Sequence, residues 1–363
     1  MPEPGERMLW IRNLEAVGQA ASSITFDVEL GSEIRIAGLL NYGSGNILCG
    51  ALTLDPDRSG LYKYLLRVRF TQQVADEIPQ GTARGYLFPE GPAGELVALL
   101  SLHFQTRFYV LSRTIGELSP QSLAVKTELP PIRGDFAPRL DPIVFSRAPR
   151  SFDGSLSSFL DEVRLLPPTH HLPFVIAAWH YSRALREIGV DEEMIFVRLV
   201  SAVESVAQGI VPNERDVLAG LAFKEVARYE AMDQEQIDEL RGTFEVRRTK
   251  ARFVAFLERY CTGFFENEPR EPANTQVTPE TLRQVAGAVY NARSGYLHNG
   301  EPMYLSRFSH KFPEWHMDPF QGMTWQDRYF AGKKKLPHAS FFHRLTRHCI
   351  LTYFHELTKG SST

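Results

Sequence analysis

Arg293 and His298 are the two residues of this 363-residue chain whose types and spacing point most directly to a reaction. A guanidinium keeps its charge at any physiological pH and offers a planar fork of donors to phosphate or carboxylate oxygens. An imidazole, with an unperturbed pKa of about 6.5, takes up and releases a proton near neutrality. One group that stabilises growing negative charge and one that moves a proton suffice for metal-free chemistry at a phosphate ester. The two residues form an R-x4-H string, Arg293-Ser294-Gly295-Tyr296-Leu297-His298. Roughly one such spacing arises by chance in a chain of this length, so its place in the fold decides its meaning. The plain alternative is an ion-pair arginine and a helix-capping histidine.

The element that must hold the string is a helix with strong boundary signals. Thr278-Pro279-Glu280 supplies a capping hydroxyl, a proline at the first helical position and an early carboxylate. The helix is predicted to run to about His298, where Asn299-Gly300 takes the left-handed conformation that closes a helix. Five residues at 100° each turn Arg293 and His298 about 140° apart, so one ideal helix does not present both to one point. Two copies of the helix packed about a dyad pool their pairs in one cleft, which predicts a homodimer. Glu204, set among Val200, Val203, Val206 and Ala207, is costly to bury alone, and Arg293 is its expected partner. In that role Glu204 orients the guanidinium and takes no part in proton transfer; half-exposed, it is an ordinary surface carboxylate.

Around this helix the chain reads as α+β in two domains. Residues 1–126 form a β-rich N-terminal domain, residues 127–150 a proline-rich linker, and residues 151–363 an all-α bundle. The expected strands are Ser23 to Leu30, Glu33 to Leu40, Asn46 to Leu54 and Tyr62 to Phe70, separated by turn formers such as Gly43-Ser44-Gly45. Glu95 to Ser112 reads as a further hairpin or a pair of long strands. Beyond Ser151 apolar residues recur at helical spacing over His171 to Ile188, Asp191 to Gln208, Val217 to Ala231, Asp233 to Glu245, Thr249 to Phe265 and Ala339 to Leu357.

The late capped helix, the long connection after it and one final helix give the string a specific setting. Tyr290-Asn291-Ala292-Arg293-Ser294-Gly295-Tyr296-Leu297-His298-Asn299-Gly300 resembles the motif helix of the Apea-like branch of the HEPN superfamily. Phe196-Val197-Arg198-Leu199-Val200-Ser201-Ala202-Val203-Glu204-Ser205 resembles that family's apolar helix with an internal glutamate. The resemblance covers the chain from about residue 151. It implies a metal-independent endoribonuclease in which Arg293 and His298 from two protomers meet across a symmetric interface, with Tyr290, Asn291, Ser294 and Glu204 in support. It also implies a setting in bacterial conflict, as an abortive-infection or toxin-like protein. Active members commonly carry Asn, Asp or His directly after the arginine, where this chain has Ser294. The alternative is therefore an inactive HEPN bundle that binds RNA or a nucleotide, or a dimerisation scaffold for the β domain.

Two basic groups are candidate RNA contacts. Arg247, Arg248, Lys250 and Arg252 open one helix; Lys333, Lys334 and Lys335 close an aromatic-rich connection from Tyr304, where rings suited to base stacking alternate with cations. The bland account of that connection is a satellite hydrophobic cluster with solvated lysines. A weaker reading is a metal-dependent DNA nuclease built on Asp27 and Glu29.

Composition narrows the remaining classes. A hydrophobic share of 43% with 23% charged residues is that of a folded globular chain and not of a disordered one. A formal net charge of −3 excludes a uniformly basic nucleic-acid coat but not a local patch. Cys49, Cys261 and Cys349 form no CxxC pair, and no histidines stand at metal-ligand spacing, so neither metal nor cofactor is expected. The acidic, proline-containing start and the lack of a long apolar run predict a cytoplasmic protein with no membrane role. The sequence of the N-terminal domain shows no persuasive chemical motif, and the domain is expected to sense a trigger ligand or protein, or to select substrate.

Overall fold

The computed structural model describes residues 8–16, 23–53, 55–71, 92–115, 150–188, 191–212, 249–266, 277–303, 336–337 and 339–360. These residues form a mixed α+β structure with eight helices and an antiparallel sheet of five strands. They divide into two compact units, one reaching to Arg186 and including the end of the chain from Phe354, the other running from Glu187 to Tyr353.

The first unit is built on strands β1 (Ser23–Ser32), β3 (Leu39–Tyr42), β4 (Ile47–Ala51), β5 (Tyr62–Thr71) and β6 (Tyr109–Ile115), in the order β3-β4-β5-β1-β6. A two-residue strand β2 (Ile36–Ala37) pairs in parallel with β7 (Arg150–Ser151). The strand expected from Glu33 to Leu40 is therefore broken in two, because Gly38 takes a φ of 78° that ends the extended run. Gly43, Ser44 and Gly45, all at positive φ, form the tight β3–β4 turn. Register sorts the side chains of the sheet. Val28, Leu30, Tyr64, Leu66, Val68 and Phe70 fall on one buried face, while the opposite face sets Asp27 directly across from Arg67. These two make a buried fork: Arg67 Nε donates to Asp27 Oδ1 and Nη2 to Oδ2, each at 2.7 Å.

The expected hairpin from Glu95 to Ser112 is a helix and a strand instead. Helix α2 (Pro92–Phe104) ends at Gln105, whose φ is 51°, and β6 follows. Its residues Leu96, Val97, Ala98, Leu99, Leu100 and Leu102 are all buried, so the helix is apolar on every side and has no amphipathic stripe to read. Helix α1 (Leu9–Ala16) also lies outside the expected elements. It is short, and tertiary groups hold both of its ends. Glu95 of α2 accepts from the backbone N–H groups of Leu9 and Trp10, at 3.2 and 3.3 Å, while Asn13 Nδ2 donates to the Arg69 carbonyl and Asn13 Oδ1 accepts from Thr71 N–H.

Burial pushes the Glu95 carboxyl up from 4.5 to about 7, against the smaller opposing pull of the two N–H groups and of Arg12. The folded state thus holds a proton that the unfolded state has released. This contribution to stability is fully present below about pH 4.5 and is lost as the pH rises through about 7, with a ceiling of about 3 kcal/mol. Urea unfolding at pH 5, 6, 7 and 8 should show stability falling across that window in the wild type and a flatter profile in Glu95→Gln. Equal slopes in the two proteins would remove Glu95 as the cause.

Helices α3 (Gly154–Arg164) and α4 (Pro168–Glu187) belong to this first unit. These two helices fall within the helical region expected from residue 151, and the two compact units part at Glu187. Specific contacts tie these helices to the sheet and to α2. Tyr42 donates to Asp161 at 2.6 Å, Ser182 donates to Ser101 at 3.0 Å, and the rings of His103 and Phe159 lie 5.0 Å apart. Phe354, near the end of the chain, stacks on Phe174 at 4.8 Å.

The second unit contains α5 (Glu192–Val206) with a 3₁₀ turn at Ala207–Gly209, helix α6 (residues 249–260), α7 (Pro279–Asn299) and most of α8 (Ala339–Gly360). Its core is aromatic: Phe196 stacks on Phe342 at 5.6 Å, Phe256 meets Tyr353 at 5.5 Å, and Phe264 meets Phe341 at 5.6 Å. The helices expected at Val217 to Ala231 and Asp233 to Glu245, and most of the linker at 127–150, lie outside the described residues. Cys49, Cys261 and Cys349 are free thiols.

Candidate active site

Helix α7 carries the R-x4-H string between two well-made ends. Thr278 caps it: its hydroxyl accepts from Thr281 N–H, and its own N–H donates to Thr281 Oγ1 at 2.8 Å. Pro279 and Glu280 occupy the first turn. At the other end Gly300 has φ 65° and ψ 20°, Gly300 N–H reaches the Tyr296 carbonyl and Glu301 N–H the Gly295 carbonyl, both at 3.2 Å. This pair of hydrogen bonds is the cap a glycine in the left-handed region provides. The segment beyond is also tied down, because the Met303 N–H donates to Glu193 of α5 at 2.6 Å and Asn299 Nδ2 to Glu301 at 3.3 Å.

Leu282, Val285, Ala286, Val289, Tyr290 and Ala292 form the buried face of α7. That face fixes where each polar residue points. Arg293 is turned inward, its side chain 17% exposed, and Nη2 donates to Glu204 Oε2 at 3.1 Å; the Glu204 side chain is 20% exposed. The expected pairing of Arg293 with Glu204 is present. Tyr290 completes the group: it stands beside the Glu204 carboxylate, its ring centroid lies 6.0 Å from the guanidinium carbon, and Phe253 of α6 packs against it at 5.5 Å. Burial and then the nearby Glu204 charge push the phenol up to about 12, so Tyr290 remains a protonated donor across the physiological range. The Nε of Arg293 is buried with no hydrogen-bond partner among the described residues.

His298 faces elsewhere. It is exposed on the last turn of α7, beside exposed Leu297 and Asn299, and Asn291 is exposed two turns earlier on the same helix. Ser294 is half-buried. One chain therefore brings Arg293, Glu204 and Tyr290 together and holds His298 apart from them, as the helical turn of about 140° between the two string residues requires.

Of the candidate RNA contacts, Lys250 and Arg252 lie half-buried on α6, whereas Arg247, Arg248, Lys333, Lys334 and Lys335 lie outside the described residues, as does the connection from Tyr304. Lys250 packs on the motif helix itself, its Cε 3.7 Å from where a Cβ on Gly287 would stand. Sequence reasoning missed this seat and the Phe253–Tyr290 contact; a glycine in the interior of a well-capped helix was the available signal.

The carboxylates considered for a metal-dependent nuclease are engaged elsewhere. Asp27 is locked to Arg67, and Glu29 binds Lys63 at 3.1 Å and accepts from Ser112 at 3.3 Å. Among the described residues no group of three or more His, Cys, Asp or Glu side chains is placed to hold a metal ion, and no helix is long and apolar enough to cross a membrane. No family model matches this chain, and no curated protein and no solved structure matches it.

Proposed function

We propose that the protein is a metal-independent endoribonuclease of the HEPN type, active as a homodimer in the cytoplasm and serving bacterial defence or a toxin-like role. The observation that carries this reading is the division of labour along α7: an arginine oriented by Glu204 and Tyr290, and an exposed histidine at the helix end. In the proposed reaction the 2′-hydroxyl loses its proton as its oxygen attacks the adjacent phosphorus, and the bond to the 5′-oxygen breaks as that oxygen gains a proton. His298 exchanges protons in this sequence, and Arg293 stabilises the charge on the phosphorane oxygens. Glu204 and Tyr290 are positioning residues, since they act through the guanidinium. A dimer supplies the geometry that one helix lacks, because copies of the string related by a dyad place an arginine and a histidine on both sides of one phosphate.

The reaction leaves a 2′,3′-cyclic phosphate and a 5′-hydroxyl. Cleavage products formed in excess EDTA should therefore resist 5′-end ligation until phosphorylated and should carry the cyclic phosphate by mass. Products with 5′-phosphates, or cleavage that EDTA abolishes, would rule the mechanism out.

The engagement of Arg293 with Glu204 and Tyr290 also favours a second reading, an inactive HEPN bundle that binds RNA or a nucleotide or dimerises to present the N-terminal domain. Purified dimer that binds RNA and leaves it intact would establish it.

A further inference from the structure

Four residues of α7 share one line along its outer side. Gly287, Asn291, Ser294 and His298 follow at intervals of four, three and four, which at 100° per residue keeps them within an arc of about 60° over a rise of about 16 Å. Asn291 and His298 are exposed, and Gly287 and Ser294 are half-buried. Arg293 is not on this line. At its N-terminal end stands Lys250 of α6, whose Cε and Nζ lie 3.7 and 4.0 Å from the Cβ position of Gly287. The absence of a side chain at Gly287 leaves the lysine lying across the helix.

Lys250 is half-buried, and burial lowers its affinity for a proton, yet no described residue pairs with its ammonium. A partly desolvated cation without an ion-pair partner gains from any anion that reaches it. Hydrogen-bonding groups then continue from this cation along the helix through the Asn291 amide and Ser294 hydroxyl to His298. Glu301, 3.1 Å from the Cβ position of Gly295, borders the row on one side and confines a polyanion to the other.

We infer that Lys250 and the row Asn291, Ser294 and His298 form a track for single-stranded RNA, in which Lys250 grips a phosphate distant from the one cleaved. The choice of RNA as ligand rests on the function proposed above; the placement of the track rests on α6 and α7. A phosphate contact of this kind weakens binding similarly for all sequences when lost and flattens its salt dependence.

The experiment measures binding of the full chain to a fluorescent RNA of about 20 nucleotides, 2′-O-methylated so that it lacks the nucleophile, in EDTA over a series of salt concentrations. Lys250→Gln should bind about three- to tenfold more weakly at low salt, with the slope of log K against log salt reduced by about 0.7 to 1. Gly287→Leu, which fills the seat of the lysine without removing a charge, should give the same change, and thermal unfolding of both variants reports on the fold. Wild-type affinity and slope in a folded variant of either kind would overturn the track while leaving the ribonuclease reading intact. No RNA binding by any form, the wild type included, would overturn both.

Discussion

Replacing His298 by alanine is expected to slow RNA cleavage by about 10²- to 10⁴-fold, the usual contribution of a positioned acid–base group, with no change in thermal unfolding. The second half of this expectation follows from exposure: the imidazole stands on the last turn of α7, and the cap that ends the helix is made by backbone groups of Gly295, Tyr296, Gly300 and Glu301. Arg293→Ala should also abolish cleavage but is the less clean variant. It strips Glu204 of its partner in a site only about one-fifth exposed, and so mixes lost chemistry with lost stability. A His298→Ala protein that cleaves at the wild-type rate removes this residue from the reaction. Loss of cleavage accompanied by earlier melting assigns the effect to the fold.

The largest expected effect on stability lies in the first unit, at Asp27. Its carboxylate is fully buried and takes both arms of the Arg67 fork at 2.7 Å, so Asp27→Ala leaves a guanidinium without its counter-charge in the sheet. Such a truncation costs about 3–5 kcal/mol, whereas replacing both partners by apolar residues of similar volume is often close to neutral. Urea unfolding should therefore show a large loss for Asp27→Ala and a much smaller one for Asp27→Leu combined with Arg67→Met. Equal losses in the single and double variants would mean that the ion pair is not the source. Because the two residues face each other across β1 and β5, the same comparison also tests the register of the sheet.

What the sequence disclosed was chemistry that acts locally. Thr278, Pro279 and Gly300 mark the ends of α7 because each satisfies or terminates hydrogen bonding within one turn, and the structure places those ends where the residues call for them. The Glu204–Arg293 pair was legible for a different reason: a carboxylate in an apolar helix face is costly to bury alone, and Arg293 was its expected partner. Helix α2 was not legible because burial on all sides erases the period that separates a helix from a strand. Nor was α1, whose eight residues are too few to hold a helix unaided and depend on Glu95 and on the end of β5. The assignment of α3 and α4 to the sheet unit was not legible for a related cause. An amphipathic pattern in α3 and α4 says that one face is covered, but not that the sheet unit covers it. Lys250 illustrates the same limit at the site, since its seat over Gly287 exists only once α6 has packed on α7.

The most direct test is to incubate purified wild-type protein and His298→Ala with total cellular RNA in excess EDTA, after confirming by sedimentation that both are dimers. Discrete cleavage by the wild type alone is the predicted result. Intact RNA with dimeric, correctly folded wild type, or equal cleavage by both proteins, would contradict a metal-independent ribonuclease centred on Arg293 and His298.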